Sequence, residues 1–248
     1  MRAAVDYLPF AEVLARQFEV HVIDRRGRGA SGPLGPGYGI DKECQDLLAV
    51  QAATDARLLF GHSYGALIAL ETAVGSEAFQ RLALYEPGLS VGGCVPTGWM
   101  TDYRRRLDQG DPRGAFAGFV RAFGPPWMAK LPTWYLRAVL RVAIRNERWQ
   151  ERFEPLLRAN LAEHEQVAAL DGTLERYSGI AAKVLLLRGG RSSSVMTGQA
   201  LDTLCQTLRC AELETLEGLD HLAPDEKAPE PVARRVLAFM SGPGSAAV

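Results

Sequence analysis

Residues 58–73 read LLFGHSYGALIALETA, and this stretch decides the fold. It holds the pentapeptide Gly61-His62-Ser63-Tyr64-Gly65 between a short apolar run and an Ala/Leu-rich segment that suits a helix. In a strand–turn–helix context, Gly-x-Ser-x-Gly places a serine hydroxyl on a sharp, strained turn above a sheet. The sequence therefore predicts a nucleophile elbow, with Ser63 as nucleophile and the backbone N–H of Tyr64 as an oxyanion donor.

The length and composition indicate a single globular domain. The chain has 248 residues, of which 47% are hydrophobic and 23% charged, with a formal net charge of -1. No broad basic field favours nucleic acid or an anionic membrane as partner. We find no signal peptide, no apolar run near 18 residues and no metal-like cysteine pairs, so we expect a cytoplasmic protein without a metal site. The sequence leaves open whether the protein forms a homodimer.

Short apolar runs alternate with helical stretches, which predicts an α/β fold with a mostly parallel sheet flanked by helices. The predicted strands are Glu19–Asp24, Arg57–Phe60, Arg81–Tyr85, Lys183–Leu187 and Glu212–Leu216. The predicted helices are Phe10–Phe18, Asp41–Thr54 with Asp41 as cap, Tyr64–Val74, a helix ending at Leu208, and Pro231–Met240.

From residue 88 to residue 179 the pattern is almost wholly helical, with breaks at prolines and glycines. We therefore expect a core formed by residues 1–87 and 180–248, interrupted by a helical lid at 88–179. All the tryptophans lie in this lid, and Trp99, Trp127 and Trp134 are candidates for an apolar substrate pocket over Ser63. The alternative is that such aromatic side chains only pack the core of the lid itself.

Three segments together resemble the α/β-hydrolase superfamily: VHVIDRRGRGASG at 20–32, the GHSYG elbow, and GLDHLAP at 218–224. The chain looks most similar to the branch of serine esterases and haloperoxidase-like enzymes. The resemblance implies hydrolysis of an acyl compound without a cofactor, and a triad in the order serine, acid, histidine. Members normally have further strands and a His-Gly oxyanion loop before the segment at Met1, so we expect the natural protein to begin upstream.

Of the four histidines, His221 is the candidate general base. It follows the last predicted strand in a Gly-Leu-Asp-His turn, and such a turn places an imidazole above the carboxyl ends of the strands, beside Ser63. His21 lies within a predicted strand, His62 lies inside the elbow, and His164 lies on an acid-rich lid helix where a solvated position is expected. A neutral imidazole at 221 can take the proton of Ser63 and return it to the leaving group.

The acid of the triad departs from the usual pattern. The family usually places it just after the penultimate strand, but the chain has no Asp or Glu between Lys183 and Leu201, and Ser192 stands there instead. Glu86 is the leading replacement, since it ends the strand RLALY next to the elbow strand, and some haloalkane dehalogenases are similar in this respect. Asp220 and a serine–histidine dyad remain open, as does a Glu86 that only caps a loop or pairs with an arginine.

The function expected from these residues is hydrolysis of an ester, lactone or thioester of a small apolar substrate through an acyl-enzyme on Ser63. A carbon–carbon bond hydrolase and a cofactor-free haloperoxidase-like enzyme share the same triad and stay as alternatives. A non-catalytic ligand-binding member of the fold is the alternative from another class, because the fold alone does not determine function.

Overall fold

The computed structural model describes residues 2–124, 126–192 and 194–242, and within these ranges four parallel strands form one sheet. The strands are β1 (Leu58–His62), β2 (Arg81–Tyr85), β3 (Lys183–Gly189) and β4 (Ala211–Leu216). Each strand pairs with the next, and the register aligns His62 with Tyr85 and Tyr85 with Leu187. The carboxyl ends of three neighbouring strands therefore meet at one edge, where a site can form.

Helices cover both faces of this sheet, so its central strands are apolar on both sides. Their bounds are α1 (Leu8–Leu14), α2 (Ile40–Thr54), α3 (Tyr64–Ala73), α4 (Met100–Asp108), α5 (Pro112–Phe123), α6 (Thr133–Ala143), α7 (Asn146–Arg148), α8 (Leu157–Ala169), α9 (Ser194–Thr207) and α10 (Pro229–Met240). Alternate residues of β2 face opposite layers: Leu82 and Leu84 pack with α3 and α9, whereas Ala83 and Tyr85 pack with α1 and α10. The predicted α/β fold with a parallel sheet is confirmed.

The prediction of a strand at Glu19–Asp24 is wrong. Alternating apolar residues favour an extended chain there, but a strand also needs the backbone groups of a neighbour. In the described part of the chain the sheet ends at β1, and the 19–24 segment does not join it. Its end is held instead by the Asp24 carboxylate, which accepts hydrogen bonds from the backbone N–H groups of Ala4 (2.7 Å) and Ala30 (2.9 Å).

Two predicted helix limits also change. Helix α1 ends at Leu14 rather than at Phe18. Asp41 is not the cap of α2: the capping position is Gly39, and Asp41 lies in the first turn. A carboxylate in the first turn still favours the helix, because it interacts with the positive end of the helix dipole.

Between β2 and β3, residues 86–99 are not helical, but the described residues from α4 to α8 and a short 3₁₀ helix at Leu174–Gly179 are mostly helical. Its aromatic core contains fully buried Tyr103 and Trp149, with Phe116 and Leu157 packed beside them. This helical segment, which we call the lid, thus has a small hydrophobic core of its own.

A buried network of charges ties the lid to the sheet domain. Glu163 of α8 accepts hydrogen bonds from Arg25 (2.9 Å) and from Arg28, and Arg25 also donates to Glu43 of α2 (3.0 Å). Burial alone would raise the pKa of Glu163, but the attraction of Arg25 and Arg28 outweighs it and lowers the pKa below the ordinary value. Because Arg25 also lies over the ring of Tyr64 at 5.0 Å, the network reaches the residue that follows the expected nucleophile.

Replacing Glu163 by Gln should lower the free energy of unfolding by about 3 kcal/mol, because it leaves the buried guanidinium group of Arg28 without its anion and leaves Arg25 with Glu43 alone. The pKa of Glu163 is lowered in the folded state, so its contribution is present above the pKa of an unfolded glutamate and is lost as the pH falls through the folded value. Urea denaturation of the variant and the wild type across this pH range measures both effects.

Glu165→Gln is the matched control on the same helix. Glu165 pairs with Arg104 at the surface, and such exposed pairs contribute less than about 1 kcal/mol. Equal losses of stability in the two variants would contradict the anchoring role of Glu163.

Candidate active site

Ser63 occupies a strained turn between β1 and α3. Its backbone angles are φ 55° and ψ −121°, a region that residues other than glycine rarely adopt. The turn is fixed on both sides: the Ser63 N–H donates to the Tyr85 carbonyl (2.9 Å), and the Ser63 carbonyl accepts from the Gly88 N–H (3.0 Å). This is the strand–turn–helix geometry that the pentapeptide predicts for an exposed nucleophile.

The two glycines of the pentapeptide differ in their steric roles. A Cβ atom on Gly61 would lie 2.7 Å from the Cα of Ala66 and 2.8 Å from the carbonyl oxygen of Gly65, so α3 can start this close to β1 only at a glycine. A Cβ on Gly65 would meet no atom within 4 Å. Of the two glycines, only Gly61 therefore relieves a steric clash.

We expect Gly61→Ala to destabilise the protein by about 1–3 kcal/mol, because the added methyl group meets backbone atoms that cannot move without shifting α3. Gly65→Ala is the matched control: it adds the same group in open space within a helix, where alanine is favoured over glycine by about 1 kcal/mol. Thermal unfolding of both variants tests this, and a Gly61→Ala protein as stable as Gly65→Ala would refute the steric argument.

Glu86 lies at the end of β2 and faces the interior of the site. The backbone at Glu86 has φ 43°, and its N–H donates to the Leu187 carbonyl (2.9 Å). The side chain is fully buried, with one carboxylate oxygen accepting the Gly189 N–H (2.7 Å) and the other lying 2.7 Å from His221 Nδ1. The expected approach of Glu86 to His221 is thus present, and its carboxylate contacts a backbone amide and an imidazole rather than an arginine.

The loop that carries His221 is held against the ends of β2 and β3. The hydroxyl group of Tyr85 donates to the Asp220 carbonyl (2.8 Å), and the Arg191 N–H donates to the Leu219 carbonyl (2.8 Å). A Cβ on Gly189 would lie only 2.6 Å from that same Leu219 oxygen, so glycine is required for the loop to pack this closely. These contacts bring His221 to the buried carboxylate.

Asp220 does not serve as partner of His221. One of its carboxylate oxygens accepts the Leu222 N–H (3.0 Å), and the other pairs with Lys227. Neighbouring side chains diverge from the backbone, which explains why Asp220 turns away from the imidazole. Ser192, at the usual position of the acid, has a buried hydroxyl group without a hydrogen-bond partner among the described atoms.

His62 and Tyr7, for which no role was expected, form a pair next to His221. The imidazole ring of His62 packs against that of His221, with ring centroids 4.8 Å apart, and Nδ1 of His62 lies 2.7 Å from the hydroxyl oxygen of Tyr7. Burial, and then the nearby His221, lower the pKa of His62 well below its ordinary value. Burial also raises the pKa of Tyr7, so both members of this pair are uncharged near neutral pH. The only sequence signal was the position of His62 next to Ser63.

Tyr64, the expected oxyanion donor, is the first residue of α3. The first backbone N–H groups of a helix have no acceptor within the helix, which leaves them available to an anion. Its side chain is buried, with the hydroxyl group 3.2 Å from that of Tyr38. The N–H of Tyr64 therefore starts a helix directly beside Ser63, as an oxyanion donor requires.

The tryptophans expected to line a pocket differ in location. Trp127 and Trp134 are 58% and 71% exposed, which corrects the expectation that they line an apolar pocket. For Trp134 the reason is helical periodicity: Leu136 of α6 is buried, and a residue two positions away points to the opposite side.

Trp99 belongs to an aromatic cluster that also contains Phe119, Phe123 and His164. The centroid of the His164 ring lies 5.1–5.3 Å from the centroids of the other three rings. The expectation of a solvated His164 is wrong, since burial lowers its pKa and its Nδ1 bonds to the Asn160 carbonyl (2.8 Å). Its acidic neighbour in sequence, Glu163, points away from this cluster and pairs with Arg25 and Arg28.

A cavity of about 730 Å³ lies between the 27–35 loop and the lid segment 151–159. Its lining includes Arg28 and Arg152 but not Ser63, Glu86 or His221. We therefore do not assign it as the place where a substrate meets the nucleophile.

Within the described residues no cluster of three or more His, Cys, Asp or Glu side chains has the arrangement of a metal site. In the same part of the chain, no helix has both the length and the apolar character needed to cross a bilayer.

The family model of the alpha/beta hydrolase family matches residues 3–235. The chain belongs to this family. Over 126 residues it is 42% identical to an N-formylmaleamate deformylase of Pseudomonas putida (strain KT2440); the match covers 47% of this chain and 45% of that protein. The chain thus aligns with less than half the length of this curated relative.

Solved structures agree with the family fold. An alpha/beta hydrolase from Sphaerobacter thermophilus is similar with a TM-score of 0.75 and 27% identity, covering 97% of this chain and 89% of that one. An N-formylmaleamic acid deformylase from Pseudomonas putida S16 has a TM-score of 0.63 and 21% identity, with 91% and 84% covered. At that identity the second likeness supports the fold alone.

Proposed function

We propose that this protein is a serine hydrolase that cleaves a carboxylic acid derivative through an acyl-enzyme on Ser63. The observation that carries the proposal is the 2.7 Å contact between Glu86 and Nδ1 of His221, beside a serine held at φ 55°. A nucleophile, a base and a group that orients the base are the three parts that such catalysis needs.

The chemistry follows from the roles of these atoms. His221 has its Nδ1 engaged by Glu86, so its Nε2 is the nitrogen that accepts the Ser63 proton as the serine oxygen attacks the substrate carbonyl carbon. The Tyr64 N–H at the start of α3 stabilises the negative charge that develops on the carbonyl oxygen. His221 then gives the proton to the departing alcohol or amine. A water molecule releases the acyl group by the same two steps, and Ser63 regains its proton.

Two substrate classes fit this proposal. Esters, lactones and thioesters follow from the triad itself, since these acyl compounds are more reactive towards a serine nucleophile than amides are. N-formyl amides form the second class, which the 42% identity to an N-formylmaleamate deformylase over 126 residues favours. Carbon–carbon bond hydrolysis and haloperoxidase-like chemistry use the same three residues but have no such identity in their support.

Ser63→Ala should abolish labelling by a fluorophosphonate probe and reduce ester turnover to the background rate, because the nucleophilic oxygen is removed. Mass spectrometry of the labelled wild type should locate the phosphonate on Ser63. Ester turnover that persists in the folded Ser63→Ala protein would rule out the acyl-enzyme, and an unlabelled wild type would favour the non-catalytic alternative.

Glu86→Gln should lower kcat by as much as about 10⁴-fold, because the amide no longer stabilises the imidazolium form of His221 or fixes its tautomer. Asp220→Asn is the matched control, since Asp220 pairs with Lys227 and should leave kcat nearly unchanged. Steady-state kinetics on one ester substrate compare the two variants. A larger loss in Asp220→Asn than in Glu86→Gln would reassign the acid.

The two substrate classes can be compared directly. If deformylation is the main activity, N-formylmaleamate should release formate with a kcat/KM at least about ten-fold above that of p-nitrophenyl acetate, a difference of about 1.4 kcal/mol in transition-state stabilisation. Formate is measured with a coupled formate dehydrogenase, and the Ser63→Ala protein gives the background. Ester turnover without formate release would assign the protein to the ester class.

A further inference from the structure

The imidazole of His221 is only partly restrained by its partner Glu86. About 45% of the His221 side chain is exposed, and its hydrogen bond to Glu86 is made at a single ring atom. One hydrogen bond sets the position of Nδ1 but leaves the ring free to swing about that contact. Nε2 lies on the far side of the ring, so such swinging displaces the atom that must exchange a proton with Ser63.

The ring of His62 supplies a second contact to the His221 imidazole. The two centroids are 4.8 Å apart with the planes inclined by 51°, so the rings pack at a tilt rather than in parallel. His62 is itself fixed: it is the last residue of β1, its ring meets that of Tyr85 edge-on at 5.6 Å, and Nδ1 bonds to the Tyr7 hydroxyl group. A ring held by a strand and two tyrosines gives His221 a rigid surface.

We propose that His62, held by the Tyr7 hydroxyl group, is a positioning residue that fixes the ring plane of His221 for proton exchange with Ser63. The proposal rests on the general-base role of His221 proposed above and adds a residue pair outside the triad. His62 touches neither the reacting bond nor the acid, and acts only through the His221 ring.

The pair of His62 and Tyr7 must be uncharged as well as rigid. When His221 takes the Ser63 proton it becomes a cation, and a second imidazolium 4.8 Å away would oppose that step. Burial lowers the pKa of His62 well below the ordinary value, the charges of His221 and Arg2 act in the same direction, and a hydrogen bond with the His221 backbone only partly offsets them. We assign the Tyr7 hydroxyl group as the donor to Nδ1 of neutral His62, which places the single ring proton on Nε2.

The tyrosine contact therefore favours the uncharged form of His62 in a second way. A hydrogen bond donated to a lone pair stabilises the form that carries this lone pair, so it opposes protonation of His62. The groups that face His62 are Tyr7 from the start of the chain, Tyr85 from β2 and His221 from its loop, and none of these is an anion.

The test uses the second-order rate of fluorophosphonate labelling of Ser63 and steady-state ester kinetics. His62→Ala removes the surface under His221 and should lower both the labelling rate and kcat by about 10–100-fold with little change in KM, because a displacement near 1 Å can cost about 100-fold. The double variant Tyr7→Phe/His62→Phe restores a ring without leaving a buried polar atom unpaired, and should recover most of the rate. His21→Ala, which removes a histidine outside the site, is the matched control and should match the wild type.

Tyr7→Phe provides a readout that a purely structural role would not change. Without the hydroxyl group His62 accepts a proton more readily, so the acid-side fall of the labelling rate should move to higher pH and become steeper. The double variant has no basic ring nitrogen at position 62 and should keep the wild-type profile. Thermal unfolding shows that each variant is folded under the assay conditions.

The outcomes separate this proposal from the triad. If the fluorophosphonate probe does not label Ser63 in the wild type, the general-base proposal itself is refuted. A labelled wild type with an equal rate in folded His62→Ala would overturn only the role of His62. A double variant as slow as His62→Ala would overturn the ring contact, and an unchanged acid side in Tyr7→Phe would overturn the role of the tyrosine.

Discussion

The site depends on one buried carboxylate whose two oxygens are both hydrogen bonded. Glu86 is fully buried, and a carboxylate in that position is costly unless every lone pair that needs a partner has one. The Gly189 N–H and His221 Nδ1 supply those partners, each at 2.7 Å. The same two contacts join three strand ends, because Glu86 follows β2, Gly189 ends β3 and His221 follows β4. Packing of the loop against Gly189 is thus a condition for the chemistry, and any side chain at 189 would separate the imidazole from its acid.

The register of the sheet brings Ser63 to the same place. His62, Tyr85 and Leu187 are aligned across β1, β2 and β3, so Ser63 and Glu86 leave neighbouring strands one residue later. Both adopt positive φ values, 55° and 43°, and such strained turns persist only where surrounding contacts fix them. The backbone hydrogen bonds from Ser63 to Tyr85 and from Glu86 to Leu187 provide this constraint. Farther out, the pairing of Glu163 with Arg25 connects the lid to Tyr64, so the helical segment and the elbow share one support.

Much of this arrangement could be predicted from the sequence. Parallel strands buried on both faces appear as continuous apolar runs, which made β2 and β3 clear, and the elbow has a motif with a fixed spacing. Because no acidic residue follows β3 and Glu86 follows β2, the sequence indicated Glu86 as the partner of His221. The failures share a cause: they depended on contacts made far away in the chain. The 19–24 segment has a strand-like pattern but pairs with no strand of the described sheet, and Gly39 rather than Asp41 takes the capping position of α2. Trp127 and Trp134 are exposed on the lid, whose aromatic core contains Trp149 with Trp99 packed against it. Tyr7 and His62 could not be found together, because no spacing reveals that a residue at the start of the chain meets one in the elbow.

The most direct test of the central claim is the position of the proton on neutral His221. With four histidines in the chain, nitrogen NMR of the ¹⁵N-labelled protein can assign each imidazole by single substitution. A carboxylate 2.7 Å from Nδ1 requires the proton on that nitrogen, leaving Nε2 as the base, whereas free imidazole side chains favour the other tautomer. The account predicts the Nδ1–H form for His221 throughout the pH range in which it is neutral. A neutral His221 that carries its proton on Nε2 would contradict it.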